Sequence, residues 1–188
     1  MKNKKSDEEL AILSLKDKEN FSQIVNRYAS KIQRYIARVT GNWQESEDIT
    51  QEVFFKAYVN IASFNPKLKF SSWLYRIAHN ESVNYIKKNY RTRNVELNEN
   101  INYDLSDDQK IFEKIDAKHN SKLVQKTLME LPPRDREIIN LVFFEEKSYI
   151  EVSDILKMPI NSIGPTISRA KNKLKILIKN ESKTWREN

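Results

Sequence analysis

The chain has 188 residues, 39% of them hydrophobic and 31% charged, with a formal net charge of +7. That length suits one large domain or two small ones with a lean core. The absence of Cys excludes disulfides, thiol chemistry and thiolate metal sites, and no apolar run approaches the length needed to cross a bilayer.

Only two Gly and five Pro interrupt the chain, so the long stretches between them read as helix rather than turn-dense β structure. The opening "MKNKKSDEEL" is polar throughout, which argues against a signal peptide and makes a cytoplasmic location the expectation. Charge is unevenly placed. Residues 1–95 carry a net +7, residues 96–120 a net −4 and residues 121–188 a net +4. Two basic blocks flank an acidic spacer.

Ser6 and Glu9 form a capping-box pattern ahead of a short first helix. In the next, Phe21, Val25, Tyr28, Ile32, Tyr35, Ile36 and Val39 recur at three- and four-residue steps, and Gly41 stands where a left-handed cap belongs. A third helix is expected to open at Ser46 or Asp48 and run to about Ala62. Ile49, Val53, Phe54, Ala57 and Ile61 share its inner face, and Asp48, Gln51, Glu52 and Phe55 share its outer one. Carboxylates repel phosphates, so this outer face is poor for DNA. One ring inside a charged rim suits protein docking, with a basic partner favoured.

"SFNPKLKFSS" (63–72) reads as a loop, after which Ser71 or Ser72 caps a helix from Trp73 to about Tyr90. Leu74, Ile77, Ala78 and Tyr85 face inward. Trp73, Arg76, Asn80, Asn84 and Lys87 form a second strip, continued by Lys88, Arg91 and Arg93. Rings stack on bases, amides bond to base edges and cations neutralise the backbone, so the strip has the parts needed to hold unpaired DNA. Phe64 and Phe70 stand close enough in sequence to help hold an extruded base. Residues 91–109 lack periodicity and read as part of a linker.

Four further helices are expected, starting near Asn120, at "PPRDRE", at "SYIEVSD" and at Ser162. Ser148 with Glu151 is a second capping box. The last two helices make a helix-turn-helix. In the second of them Ile163, Ile167, Ala170, Leu174 and Leu177 form a seam, with Ser162 as the expected N-cap and Gly164-Pro165 in the first turn. Ser162, Pro165, Thr166, Arg169, Lys171 and Lys173 are the residues expected to meet DNA, with the helix lying in a major groove.

Taken together, "DITQEVFFKAY", "FSSWLYRIAHN", "LMELPPRDREIINLVFFEEKSYIEVSDIL" and "SRAKNKLK", in that order, resemble the sigma-70 family of bacterial transcription initiation factors. The short extracytoplasmic-function form, with regions 2 and 4 alone, is the nearer match. The resemblance implies an all-α protein of two small helical domains joined by a flexible linker: region 2 at 1–95, an acidic linker at 96–120 and region 4 at 121–188. It implies that Asp48, Gln51, Glu52 and Phe55 bind core RNA polymerase. By the same inference Phe64, Trp73, Arg76, Asn80, Asn84, Lys87 and Lys88 act at the −10 element, and the second helix of the C-terminal motif acts at the −35 element of promoter DNA. It also implies an anti-sigma factor as partner, with no membrane insertion, no small-molecule ligand, no cofactor and no metal.

The sequence departs from the family pattern at three places. Asn84 stands where Asp is usual, Lys157 where a turn Gly is common, and Gly164-Pro165-Thr166 where Lys-Ser-Arg is usual. Two other classes compete. A free-standing helix-turn-helix regulator would need a dimer face, and it leaves 47–61 without a role. A nucleic-acid enzyme would have only His79 and His119, which fall in different modules, and no metal-like carboxylate spacing.

Overall fold

The computed structural model describes residues 5–92 and 126–184. The linker expected at 96–120 and the helix start expected near Asn120 lie outside these residues. The chain divides into two compact units, one centred on the N-terminal helices and one on the C-terminal helices. No strand occurs among the described residues.

Among the described residues the first unit has four helices: α1 (Asp7–Ser14), α2 (Glu19–Thr40), α3 (Trp43–Val59) and α4 (Phe70–Thr92), with a 3₁₀ turn at Ile61–Ser63. The Ser6/Glu9 capping box opens α1, both of its hydrogen bonds being present. Gly41 ends α2 with φ 73°, ψ 15°, the left-handed geometry that a Cβ disfavours. Only Gly41 and Asn42 lie between α2 and α3, and Asn42 caps α3. Its side chain accepts from the Glu45 amide at 3.2 Å and donates to the Tyr85 hydroxyl at 3.0 Å. Hence α3 begins three residues before Ser46. Ser46 is buried, and its hydroxyl donates back to the Trp43 carbonyl instead of capping.

The start of α4 differs from expectation in a similar way. Neither Ser71 nor Ser72 opens it; the helix begins at Phe70, whose amide donates to Glu8 Oε1 of α1 at 2.9 Å. A carboxylate at a helix N-terminus meets an unpaired donor and the positive end of the dipole together. Asp7 ties α1 down again, accepting from Arg27 at 2.5 Å and from the Tyr28 hydroxyl at 2.5 Å. Burial, and then the bond to Asp7, push the Tyr28 pKa well above its ordinary value. The core is lined by Ile24, Ile32, Tyr35, Ile36, Val53, Ala57, Leu74, Tyr75 and Ala78, none more than 1% exposed. Tyr35 and Tyr75 meet edge to face at 5.2 Å.

The second unit follows a helical turn at 126–130 with α5 (Pro133–Ile139), a π-helical segment (Asn140–Phe144), α6 (Tyr149–Leu156) and α7 (Ile160–Thr184). The π segment is a departure that periodicity did not signal. The Ser148/Glu151 capping box opens α6 as expected. Lys157 ends α6 in the left-handed region, φ 53°, ψ 44°, where a Cβ is strained. The following helix starts at Ile160, immediately after Pro159, and not beyond Ser162. The Ser162 hydroxyl donates back to the Pro159 carbonyl at 2.6 Å, so it caps no amide. Pro165 therefore lies inside α7, where its missing N–H leaves the Asn161 carbonyl without its usual helical donor.

The strain at Lys157 is testable. Lys157→Gly is expected to stabilise the C-terminal unit by about 0.5–1 kcal/mol, read as a rise of a few degrees in the melting temperature of the purified protein. An unchanged or lower value contradicts it.

Candidate functional site

Burial of one face of α3 fixes what the other presents. Ile49, Val53, Phe54 and Ala57 are buried, the Phe54 ring meeting Phe21 edge-on at 6.4 Å. Consecutive helical residues stand about 100° apart, so seating Phe54 turns Phe55 outward, and it is 63% exposed. Asp48, Gln51 and Glu52 are exposed on the same side. The structure thus brings together all four residues that the sequence placed on this face. It adds Tyr58 and Val59, also exposed, whose steps of three and four from Phe55 make them its surface neighbours. That spacing was visible in the sequence and was missed.

Lys56 sits beside this face, bonded to Glu52 at 3.3 Å and to Glu81 of α4 at 2.6 Å. The hydrogen bond to Glu81 is the main cause of a raised Lys56 pKa. A raised lysine pKa means that the pair's contribution is complete below the ordinary lysine value and lost only as pH climbs through the raised one. The pair therefore holds at neutral pH. Between α3 and α4 an open cleft of about 280 Å³ has Asp48 and Glu52 on one side and Asn84 and Lys88 on the other, so the acidic face and the α4 strip adjoin.

On α4, Asn80, Asn84, Lys87 and Lys88 are exposed, and Trp73 and Arg76 are half-buried. Phe64 departs from expectation. It is buried, packed against Phe70 at 5.3 Å and Trp73 at 5.5 Å, and Phe70 is fully buried beside it, 5.5 Å from Trp73. Both Phe rings belong to the core, where they support Trp73, and neither is available to hold an extruded base. The reason is the 3₁₀ turn, whose C-cap is Phe64 in extended geometry, directing that ring inward.

In the second unit Ile163, Ile167, Ala170 and Leu174 of α7 are buried and Leu177 is half-buried, so the seam is as expected over its first four positions. Its opposite face is not. Two residues advance a helix by about 200°, so the residues diametrically outward are Asn161, Pro165, Ser168 and Asn172, and all four are exposed. Thr166, placed outward by the sequence reading, is buried, its hydroxyl donating to the Ser162 carbonyl at 2.7 Å. Ser162 is half-buried on the flank. Arg169 is exposed next to the outward strip. Lys171 lies over the Phe143 ring, 4.9 Å from its centroid, and Lys173 bonds the buried Asp135 of α5 at 2.6 Å. Asn161, Ser168 and Asn172 could have been found by subtracting two from each seam position.

Among the described residues no three His, Asp or Glu side chains converge as a metal-binding group, and no helix is long and apolar enough to cross a membrane.

Residues 24–92 match the family model for sigma-70 region 2, and residues 121–174 match that for sigma-70 region 4. The extracytoplasmic-function (ECF) RNA polymerase sigma factor SigW of Bacillus subtilis is 34% identical over 166 residues, spanning 85% of this chain and 89% of that protein. The RNA polymerase sigma factor YlaC of the same organism is 25% identical over 92% of this chain and 98% of its own length. In fold, the chain is similar to the sigma factor RpoE of Bartonella quintana, solved with the anti-sigma factor NepR. The TM-score is 0.73 at 22% identity, covering 86% of this chain and 98% of that one. CnrH, solved with the cytosolic domain of CnrY, gives a TM-score of 0.70 at 22% identity, covering 94% of this chain and 99% of that one.

The Lys173–Asp135 pair separates structure from binding. Lys173→Ala leaves a buried carboxylate without its cation and is expected to cost about 1–2 kcal/mol of stability. The check is thermal unfolding of the free protein, where an unchanged midpoint would show that the pair does not hold α5 to α7.

Proposed function

The chain belongs to the sigma-70 family as an extracytoplasmic-function sigma factor that directs RNA polymerase to promoters, and on that premise we propose how its surfaces divide the work. The unit at 1–95 serves as region 2 and that at 121–188 as region 4, with 96–120 as the connection between them. The outer face of α3, with Asp48, Gln51, Glu52 and Phe55, docks on core polymerase. The observation that carries this is Phe55, a largely exposed ring on a helix whose other face is fully committed to the core. Carboxylates around it favour a cationic partner and repel the DNA that the rest of the chain attracts.

The α4 strip then melts and reads the −10 element. Trp73, supported from behind by Phe64 and Phe70, supplies the stacking surface. Asn80 and Asn84 bond base edges, and Lys87 and Lys88 neutralise the backbone, with Arg76 at the margin. In the second unit α7 enters the major groove at the −35 element. Each DNA contact is weak alone. Polymerase holds both units in place, so that once one engages, the other binds at a high effective concentration. The cleft between α3 and α4 supports this order, because the acidic docking face adjoins the strip that takes the melted strand.

In this reading the protein is a non-catalytic initiation factor, works in the cytoplasm and needs no cofactor. An anti-sigma factor completes the set of partners. Such a protein accompanies the RpoE structural relative.

Phe55→Ala is expected to weaken core-polymerase binding about tenfold or more, as for a central anchor, and Glu52→Lys to weaken it by reversing charge. Both variants should keep their helical circular dichroism. Unchanged polymerase capture by both removes the docking assignment. Asn80→Ala is expected to bind polymerase normally and to lower open-complex formation, followed by permanganate reactivity of promoter thymines. A defect confined to polymerase binding contradicts its role.

A further inference from the structure

The outward face of α7 is unusual in what it lacks. Its first nine residues expose Ile160, Asn161, Pro165 and Ser168, and no cation before Arg169. Ile160 is 44% exposed, and beside this helix end Tyr149 and Ile150, at the start of α6, are 49% and 74% exposed. The Tyr149 ring lies 3.9 Å from where a Cβ on Gly164 would stand.

Neither Gly164 nor Pro165 is explained by the fold. Gly164 does not have a positive φ, and a Cβ there would make only an ordinary contact. Pro165 removes a helical N–H and returns no hydrogen bond. What they do is lower the polarity of the outward surface and shorten its side chains. Behind this patch the helix turns basic with Arg169, Lys171, Lys173 and Lys175. The cations flank the patch and are absent from its centre.

We infer that this face makes a methyl-reading −35 contact: Ile160, Pro165 and the Tyr149–Ile150 edge recognise thymine methyl groups, and Asn161 recognises an adenine. The inference rests on the assignment of α7 to the −35 element. In the major groove the thymine C5-methyl is the apolar mark, adenine offers the N6/N7 pair that an amide matches bidentately, and guanine O6/N7 calls for Arg or Lys. The first two turns have the means for the first two and hold no Arg or Lys for the third. Arg169, Lys171 and Lys175 add affinity through phosphates without regard to sequence. The base pairs met by the start of α7 are accordingly A·T pairs, while guanine in the element, if present, lies where Arg169 reaches.

The test uses holoenzyme assembled from the full chain and core polymerase. Its start sites are first mapped by run-off transcription on fragmented genomic DNA. In one mapped promoter each −35 thymine is then replaced by deoxyuridine, which deletes only the methyl, and each adenine and guanine by its 7-deaza analogue. At least two adjacent thymines are expected to lose about fourfold each in holoenzyme affinity, with a loss at one nearby 7-deaza-adenine that disappears in Asn161→Ala. Asn161→Ala should relax preference at that single base pair, whereas a merely structural defect would weaken every position alike. Pro165→Lys is expected to raise affinity for all sequences and narrow the deoxyuridine effect. If every deoxyuridine template binds as well as its parent, or if guanine N7 at the centre of the element carries the preference, the methyl-reading assignment is wrong and the initiation role stands. Failure to start a transcript from any template would instead overturn the role itself.

Discussion

The packing of α3 against α2 and α4 is the constraint from which the surfaces of the first unit follow. Two adjacent Phe residues cannot both face one side of a helix, so the core takes Phe54 and solvent takes Phe55. Full burial of a Phe contributes about 1.5–3 kcal/mol. Rotating α3 to hide Phe55 would withdraw Phe54 and Val53 from the core, a larger loss than the gain. The ring is therefore held outward by the stability of its own helix. A partner meets a surface already ordered, which lowers the entropy cost of association.

The same rule governs the second unit with opposite electrostatics. The seam of Ile163, Ile167, Ala170 and Leu174 fixes the rotation of α7, and the positions two residues earlier are turned to solvent. Lys171 over Phe143 and Lys173 on Asp135 hold cations along its flank. A formal charge of +7 describes neither surface. The acidic groups gather on the outward side of one helix and the basic groups on others, so each surface selects its own class of partner.

Much of this was legible in the sequence because it depends on helical period alone. Both capping boxes, the Gly41 cap, the inner face of α3 and most of the α7 seam were visible, whereas on α2 the fully buried Ile24 was passed over for the half-buried Val25. Expectation and structure part where an interaction spans distant residues or where a hydroxyl has two choices. Ser71 and Ser72 look like caps, but Glu8 arrives from more than sixty residues away. Ser162 looks like a cap, but its hydroxyl turns back to Pro159, which moves the helix start and puts Pro165 inside. Phe64 sits in a loop and reads as available, yet a 3₁₀ turn directs it into the core. Thr166 reads as lying opposite the seam, yet the wheel puts it beside the seam and it is buried. No residue pattern announces the π segment at Asn140–Phe144.

The role of Glu8 also sets where the working protein begins. The region 2 family model matches from residue 24, yet α1 lies wholly before it and supplies both the carboxylate at the head of α4 and the Asp7 links to Arg27 and Tyr28. Phe70, the residue held at that helix start, is also the ring on which Trp73 rests. A fragment trimmed to the span of that match would keep every residue assigned to the −10 element while losing the strut that sets their common platform.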